Sequence, residues 1–221
     1  MTQPSPTLQN ILSWVVTIVT PFALVLAAVR LLLTPAFVNI EYRTPNFPAD
    51  PYGFTLQDRL KWSLISLDYL LNDEGIEFLE NQQFDDGTPI YNARELRHMV
   101  DVKNVVQGVL RVWYTALGIL LVIGVWAWQA GWLEAYRGGL ARGGWLTIGF
   151  VGTVVLFVVL AFGVFFVFFH EVFFDPGTWT FFYSDTLIRL FPQRFWRDAF
   201  LWTGGISIVE ALLVVWLAKK T

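Results

Sequence analysis

Apolar residues dominate four stretches of the chain, each long enough to cross a bilayer as a helix, which takes about 20 residues. The pattern predicts spanning helices over residues 11–33, 105–128, 145–171 and 199–218. The leader Met1 to Asn10 has no Lys or Arg. The first apolar run also exceeds the roughly 7–15 residues of a signal-peptide core, so it reads as a retained helix. Pro21 predicts a kink in it.

The polar stretch 34–104 holds twelve of the eighteen acidic residues and reads as a small folded α+β domain. Phe37–Tyr42 and Ile76–Leu79 have the composition of short strands, and Asp85-Asp86-Gly87 is a turn that would close a hairpin onto Pro89–Tyr91. Thr55 with Asp58 forms a capping-box signal for a helix through Leu71. Asn92 with Glu95 signals a second helix start that runs into the second span. Residues 129–144 form a short loop containing Gly138, Gly139, Gly143 and Gly144, to which no function is assigned. Residues 172–198 combine aromatics with Arg189, Arg194 and Arg197, as suits a membrane interface.

The predicted fold class is therefore an integral membrane, mainly α protein. It is a four-transmembrane-helix bundle with a small α+β extracytoplasmic domain between helices 1 and 2. Four spans leave both termini on the side of the 129–144 loop, and Arg137, Arg142, Lys219 and Lys220 mark that side as cytoplasmic.

Composition agrees with this reading. Of 221 residues, 55% are hydrophobic and only 15% charged, against roughly 25% charged in soluble domains; mean hydropathy is +0.52. A net charge of -3 leaves no basic footprint for nucleic acid. The absence of cysteine excludes disulfides, thiolate metal sites and cysteine nucleophiles. Imidazole chemistry has two addresses, His98 and His170.

On a helix Asp101 shares a face with His98, as a carboxylate that orients a general base would. The plainer alternative is a solvated helix end with an Arg97–Asp101 ion pair. His170 and Glu171 sit at the end of a long aromatic helix, where titratable groups are costly to desolvate and usually functional. The alternative there is a wetted interfacial pair. The topology brings both histidines to one membrane face, where they divide base and acid roles or bind a metal with nearby carboxylates. No third ligand has convincing spacing, so metal ranks lower and no cofactor is expected. Arg30, Arg111 and Glu210 lie in or near spans. Arg111 and Glu210 are expected to pair across two helices, and Arg30 to snorkel or to clamp an ester oxygen.

A set of motifs occurs in telling order: Arg30-Leu31-Leu32-Leu33-Thr34-Pro35, Ile40-Glu41-Tyr42, Tyr91-Asn92, Glu95-Leu96-Arg97-His98-Met99-Val100-Asp101-Val102, Phe169-His170-Glu171 and Leu190-Phe191-Pro192. Over nearly its whole length the chain resembles a bacterial integral membrane family that includes the lipoprotein intramolecular transacylase Lit. The resemblance implies a multi-pass protein of the bacterial cytoplasmic membrane. It also implies an acyltransferase that moves the sn-2 acyl chain of a diacylglyceryl-cysteine lipoprotein to the cysteine α-amine. The implied partners are a diacylated lipoprotein N-terminus and membrane lipids. His98 and His170 match the family's two histidines, and Arg30 or Arg111 would stabilise the oxyanion. A membrane lipid-ester hydrolase and a non-enzymatic membrane scaffold are the competing readings.

Overall fold

The structure, a computed structural model, describes residues 3–220. It contains eight helices among those residues: α1 (Pro6–Leu32), α2 (Pro35–Glu41), α3 (Leu56–Leu71), α4 (Glu77–Glu80), α5 (Ala93–Gln129), α6 (Leu133–Phe173), α7 (Thr186–Leu190) and α8 (Gln193–Lys219). Four of them, α1, α5, α6 and α8, are long and apolar enough to cross a membrane. The chain divides into two compact units.

The first unit gathers residues 1–30, 109–159 and 201–221. Here α6 begins at Leu133, so most of the stretch expected as a loop is helix. Its glycines explain why. A Cβ on Gly139 would lie 2.6 Å from the Ser13 carbonyl oxygen, and one on Gly143 would lie 2.5 Å from Thr20 Cβ. A Cβ on Gly144 would meet Val215 Cγ2 of α8 at 2.6 Å. Gly139 and Gly143 are a small-xxx-small pair that lets two apolar helices approach closely where lipid supplies no hydrophobic drive. Polar contacts reinforce the seam. Thr17 Oγ1 donates to the Gly139 carbonyl at 3.2 Å, and the Arg142 guanidinium donates to Ser13 Oγ at 2.7 Å. The α5–α6 turn is closed by Gly131 at φ 76°, a left-handed conformation that glycine adopts without strain. Val16, Ile123, Ala127 and Trp132 form the adjoining core. The first helix runs through Pro21 without a break.

The second unit comprises residues 31–108 and 160–200. The expected α+β domain is not found, because no strand occurs among the described residues. Phe37–Tyr42 lies mostly in α2, despite the β-propensity of its side chains. Thr34 caps α2 by accepting from the Phe37 N–H, and Pro35 occupies the first turn. Val38 and Tyr42, four residues apart, are both buried, which is a helical periodicity. Ile76–Leu79 leads into the single turn α4, which buries Leu79. The 85–87 turn does form, with Gly87 at φ 85° and Asp86 Oδ1 accepting from the Thr88 N–H. The hairpin shrinks to one bridge, Gln83 to Pro89, since proline has no N–H to extend a ladder.

Both capping signals are realised. Thr55 and Asp58 form a reciprocal box at the start of α3. Asn92 Oδ1 accepts from the Glu95 N–H at 3.1 Å while Glu95 Oε2 accepts from the Asn92 N–H at 2.8 Å. The other oxygen of buried Glu95 accepts from the Leu187 N–H at 2.7 Å, which ties α7 to the start of α5. Trp62, Tyr69, Leu79, Tyr91, Met99 and Leu190 fill the core. Tyr42 hydrogen-bonds Ser63 and donates to the Leu190 carbonyl. Burial pushes its phenol up to about 12, so it stays a neutral donor.

Candidate functional site

Both histidines fall in the second unit, His98 in the second turn of α5 and His170 near the end of α6. A break at Ala161 (φ -148°, ψ 49°) divides α6 ahead of the segment that carries His170. The two imidazoles meet with centroids 6.3 Å apart and planes 18° from parallel. Each residue is only 8% exposed.

Aromatic rings enclose the pair. Phe174 lies 4.8 Å from His98 and 5.5 Å from His170. Phe181 meets His98 edge-on at 5.2 Å. Phe166 and Trp179 lie 4.1 Å and 4.9 Å from His170. The segment 172–198, anticipated only as interfacial, thus supplies three of the enclosing rings. Aromatic richness was the sequence signal for them, but it is shared with any membrane belt.

The Nδ1 of His170 hydrogen-bonds the Phe166 carbonyl at 2.8 Å. A carbonyl only accepts, so Nδ1 carries the proton and Nε2 of the neutral ring keeps its lone pair. His98 Nδ1 is buried and makes no hydrogen bond.

The expected helpers are placed otherwise. No hydrogen bond among the described residues joins Asp101 to His98, and the alternative Arg97–Asp101 ion pair does not form either. Glu171 is exposed, on a face away from buried His170. Arg30 and Arg111 belong to the first unit. Arg111 is exposed and forms no ion pair with Glu210, whose Oε2 is buried without a hydrogen-bond partner. The reason is angular. At 3.6 residues per turn Arg111 sits about 140° round α5 from buried Ala116 and about 120° from buried Ile123, which leaves its side chain on an exposed face. Among the described residues no group of three His, Asp or Glu side chains gathers as a metal site.

A cleft of about 210 Å³ is lined by Arg94, Arg97, Pro176, Gly177 and Thr178. Arg94 and Arg97 precede His98 on α5, and the other three lie between the ring-bearing Phe174 and Trp179. Arg94 is anchored to Asp185 at 2.7 Å.

Fold and site together define a multi-pass helical membrane protein with a buried imidazole pair. The profile described as lipoprotein intramolecular transacylase Lit matches residues 14–196. The chain therefore belongs to the Lit family, a family of membrane acyltransferases acting on lipoproteins. An uncharacterized protein of Aquifex aeolicus (strain VF5) is 30% identical over 219 residues, which cover 96% of this chain and 97% of that one. The in meso structure of the membrane integral lipoprotein intramolecular transacylase Lit from Bacillus cereus superposes with a TM-score of 0.69 at 19% identity, covering 96% of this chain and 95% of that one. A histidine-to-alanine form of the same protein gives 0.72 at 20% identity, covering 96% and 93%. At that identity the likeness is one of fold.

Proposed function

We propose that this chain transfers the sn-2 acyl group of a diacylglyceryl-cysteine lipoprotein to the α-amine of the same cysteine, with His98 and His170 as the acid/base pair. The observation that carries this reading is the buried, parallel imidazole pair with its His170 tautomer fixed by the Phe166 carbonyl.

The amine, with a pKa of about 7.7–8.0, is mostly protonated near neutrality and must lose a proton to attack. Once the ammonium has released one proton to solvent, His170 Nε2 takes a second from the attacking amine as the C–N bond forms. His98 donates its ring N–H proton to the departing glyceryl oxygen as the C–O bond breaks. The proton held by His170 is relayed to His98 as His98 gives up its own, so no imidazolate forms. The products are an amide and a free glyceryl hydroxyl, with no net change in the enzyme. Nucleophile and ester belong to one substrate molecule, so folding the head group correctly supplies proximity. The aromatic enclosure favours an amine over water as the nucleophile. Both termini face the cytoplasm in this reading, and a reporter fused after Lys220 should report that compartment.

Mass spectrometry of lipoprotein N-termini tests the proposal, in a host that lacks other N-acylation. The wild-type chain should generate N-acyl, S-monoacyl cysteine, and His98→Ala or His170→Ala should not, while still accumulating in the membrane. Release of free fatty acid in place of N-acyl peptide would make the protein a hydrolase. Undiminished product from either alanine variant would remove the pair from the chemistry.

A further inference from the structure

Amine attack on an ester places negative charge on the carbonyl oxygen, and a preorganised donor aimed at that oxygen is usually the largest catalytic contribution. The arginines anticipated for this role, Arg30 and Arg111, belong to the first unit, and the histidines to the second. The rings around the pair are Phe166, Phe169, Phe174, Phe181 and Trp179. Of these only the Trp179 side chain carries a hydrogen-bond donor.

That donor is unused. Trp179 Nε1 is buried and has no hydrogen-bond partner. A buried indole N–H ordinarily finds an acceptor, and leaving one without is destabilising. Trp113 and Trp132 also lack hydrogen-bond partners, but among the described residues neither is in ring contact with an imidazole. Among the described residues Trp179 alone combines an idle donor with ring contact to His170, at 4.9 Å.

We infer that Trp179 is a further catalytic residue whose indole N–H hydrogen-bonds the acyl carbonyl oxygen as it becomes the oxyanion. The inference rests on the histidine-pair reading. As the amine nitrogen bonds to the carbonyl carbon, the π pair moves onto oxygen and accepts from Nε1–H. When the C–O bond to glycerol breaks, that pair returns to the carbonyl, and the indole keeps its proton throughout.

The test replaces Trp179 in the full-length protein with 3-benzothienylalanine, which substitutes sulfur for N–H and keeps the bicyclic shape. Trp179→Phe serves as a second variant. Turnover should fall about 10²–10³-fold, as for loss of one oxyanion donor. KM, the pH–rate profile and the thermal unfolding midpoint should be unchanged in the benzothienyl protein. Wild-type turnover there would overturn the inference, and so would a turnover loss matched by a loss of thermal stability. His170→Ala is assayed in parallel. If it stays active, the histidine reading fails; if it is dead while the benzothienyl protein is fully active, only the Trp179 assignment fails.

Discussion

The Nδ1–H of His170 points back along its own helix to the carbonyl of Phe166, 2.8 Å away. One backbone acceptor thereby decides which nitrogen of the ring is free. Nitrogen NMR of histidine-labelled protein should show the neutral His170 ring protonated at Nδ1 with a lone pair on Nε2. The opposite tautomer would leave no base at Nε2 and would refute the role given to it.

The two imidazoles, 6.3 Å apart, are proposed to act on one proton path. Each single alanine substitution should cost about 10²–10⁴-fold in turnover, the usual scale of acid/base catalysis. Residues that act as a unit are grossly non-additive. The double variant should therefore be little slower than the slower single. Single-turnover rates that multiply would show the rings working independently.

Asp50 and Arg189 form a pair across 139 residues, with Arg189 donating to Asp50 Oδ2 at 2.9 Å and 3.1 Å. The Asp50 carboxylate is fully shielded. Burial alone would raise its pKa, but hydrogen bonds from Arg189 and the Phe54 N–H outweigh burial and hold it below the usual carboxylate range. A depressed folded pKa contributes stability above the unfolded value, about 3.9, and that stability is lost as pH falls through the folded one. Asp50→Asn should cost about 1.5–3 kcal/mol at neutral pH, the scale of a charged hydrogen bond. The gap to wild type should close below about pH 4. Thermal unfolding in detergent from neutral pH to pH 3 reads this; a gap that widens with acid would contradict it.

Gly143 faces Thr20 Cβ and the Thr17 carbonyl at 2.5 Å and 2.9 Å from where a methyl would sit. Neither neighbour is the loose end of a side chain. Gly143→Ala should destabilise by about 1–3 kcal/mol, as overpacking does. Gly149 has nothing within 4 Å of that position, so Gly149→Ala should be neutral or mildly stabilising. Equal unfolding midpoints for the two variants would mean that the α1–α6 seam is not close-packed.

Much of this protein is written locally. Length and apolarity alone mark the four long helices, because the bilayer admits few other spanning structures. The capping boxes at Thr55 and Asn92 are equally local, since donor and acceptor lie three residues apart. The misread strands show where local reasoning stops. Val38 and Tyr42 have strand-like side chains, and burial on one face of α2 outweighs that weak preference. The glycines of α6 had a legible spacing, yet their role depends on which helix lies opposite.

The sequence by itself determined a membrane protein with two titratable imidazoles near its polar segments, because hydropathy and residue identity do not depend on packing. Only the tertiary structure decided what those imidazoles touch. Asp101 shares a helical face with His98 but forms no bond to it, while Phe174, Trp179 and Phe181, more than seventy residues away, close over the pair. Helical spacing limits which neighbours are possible. The packing of α5 against the end of α6 and the segment after it selects among them, and that selection is a sum over long-range contacts no local pattern encodes.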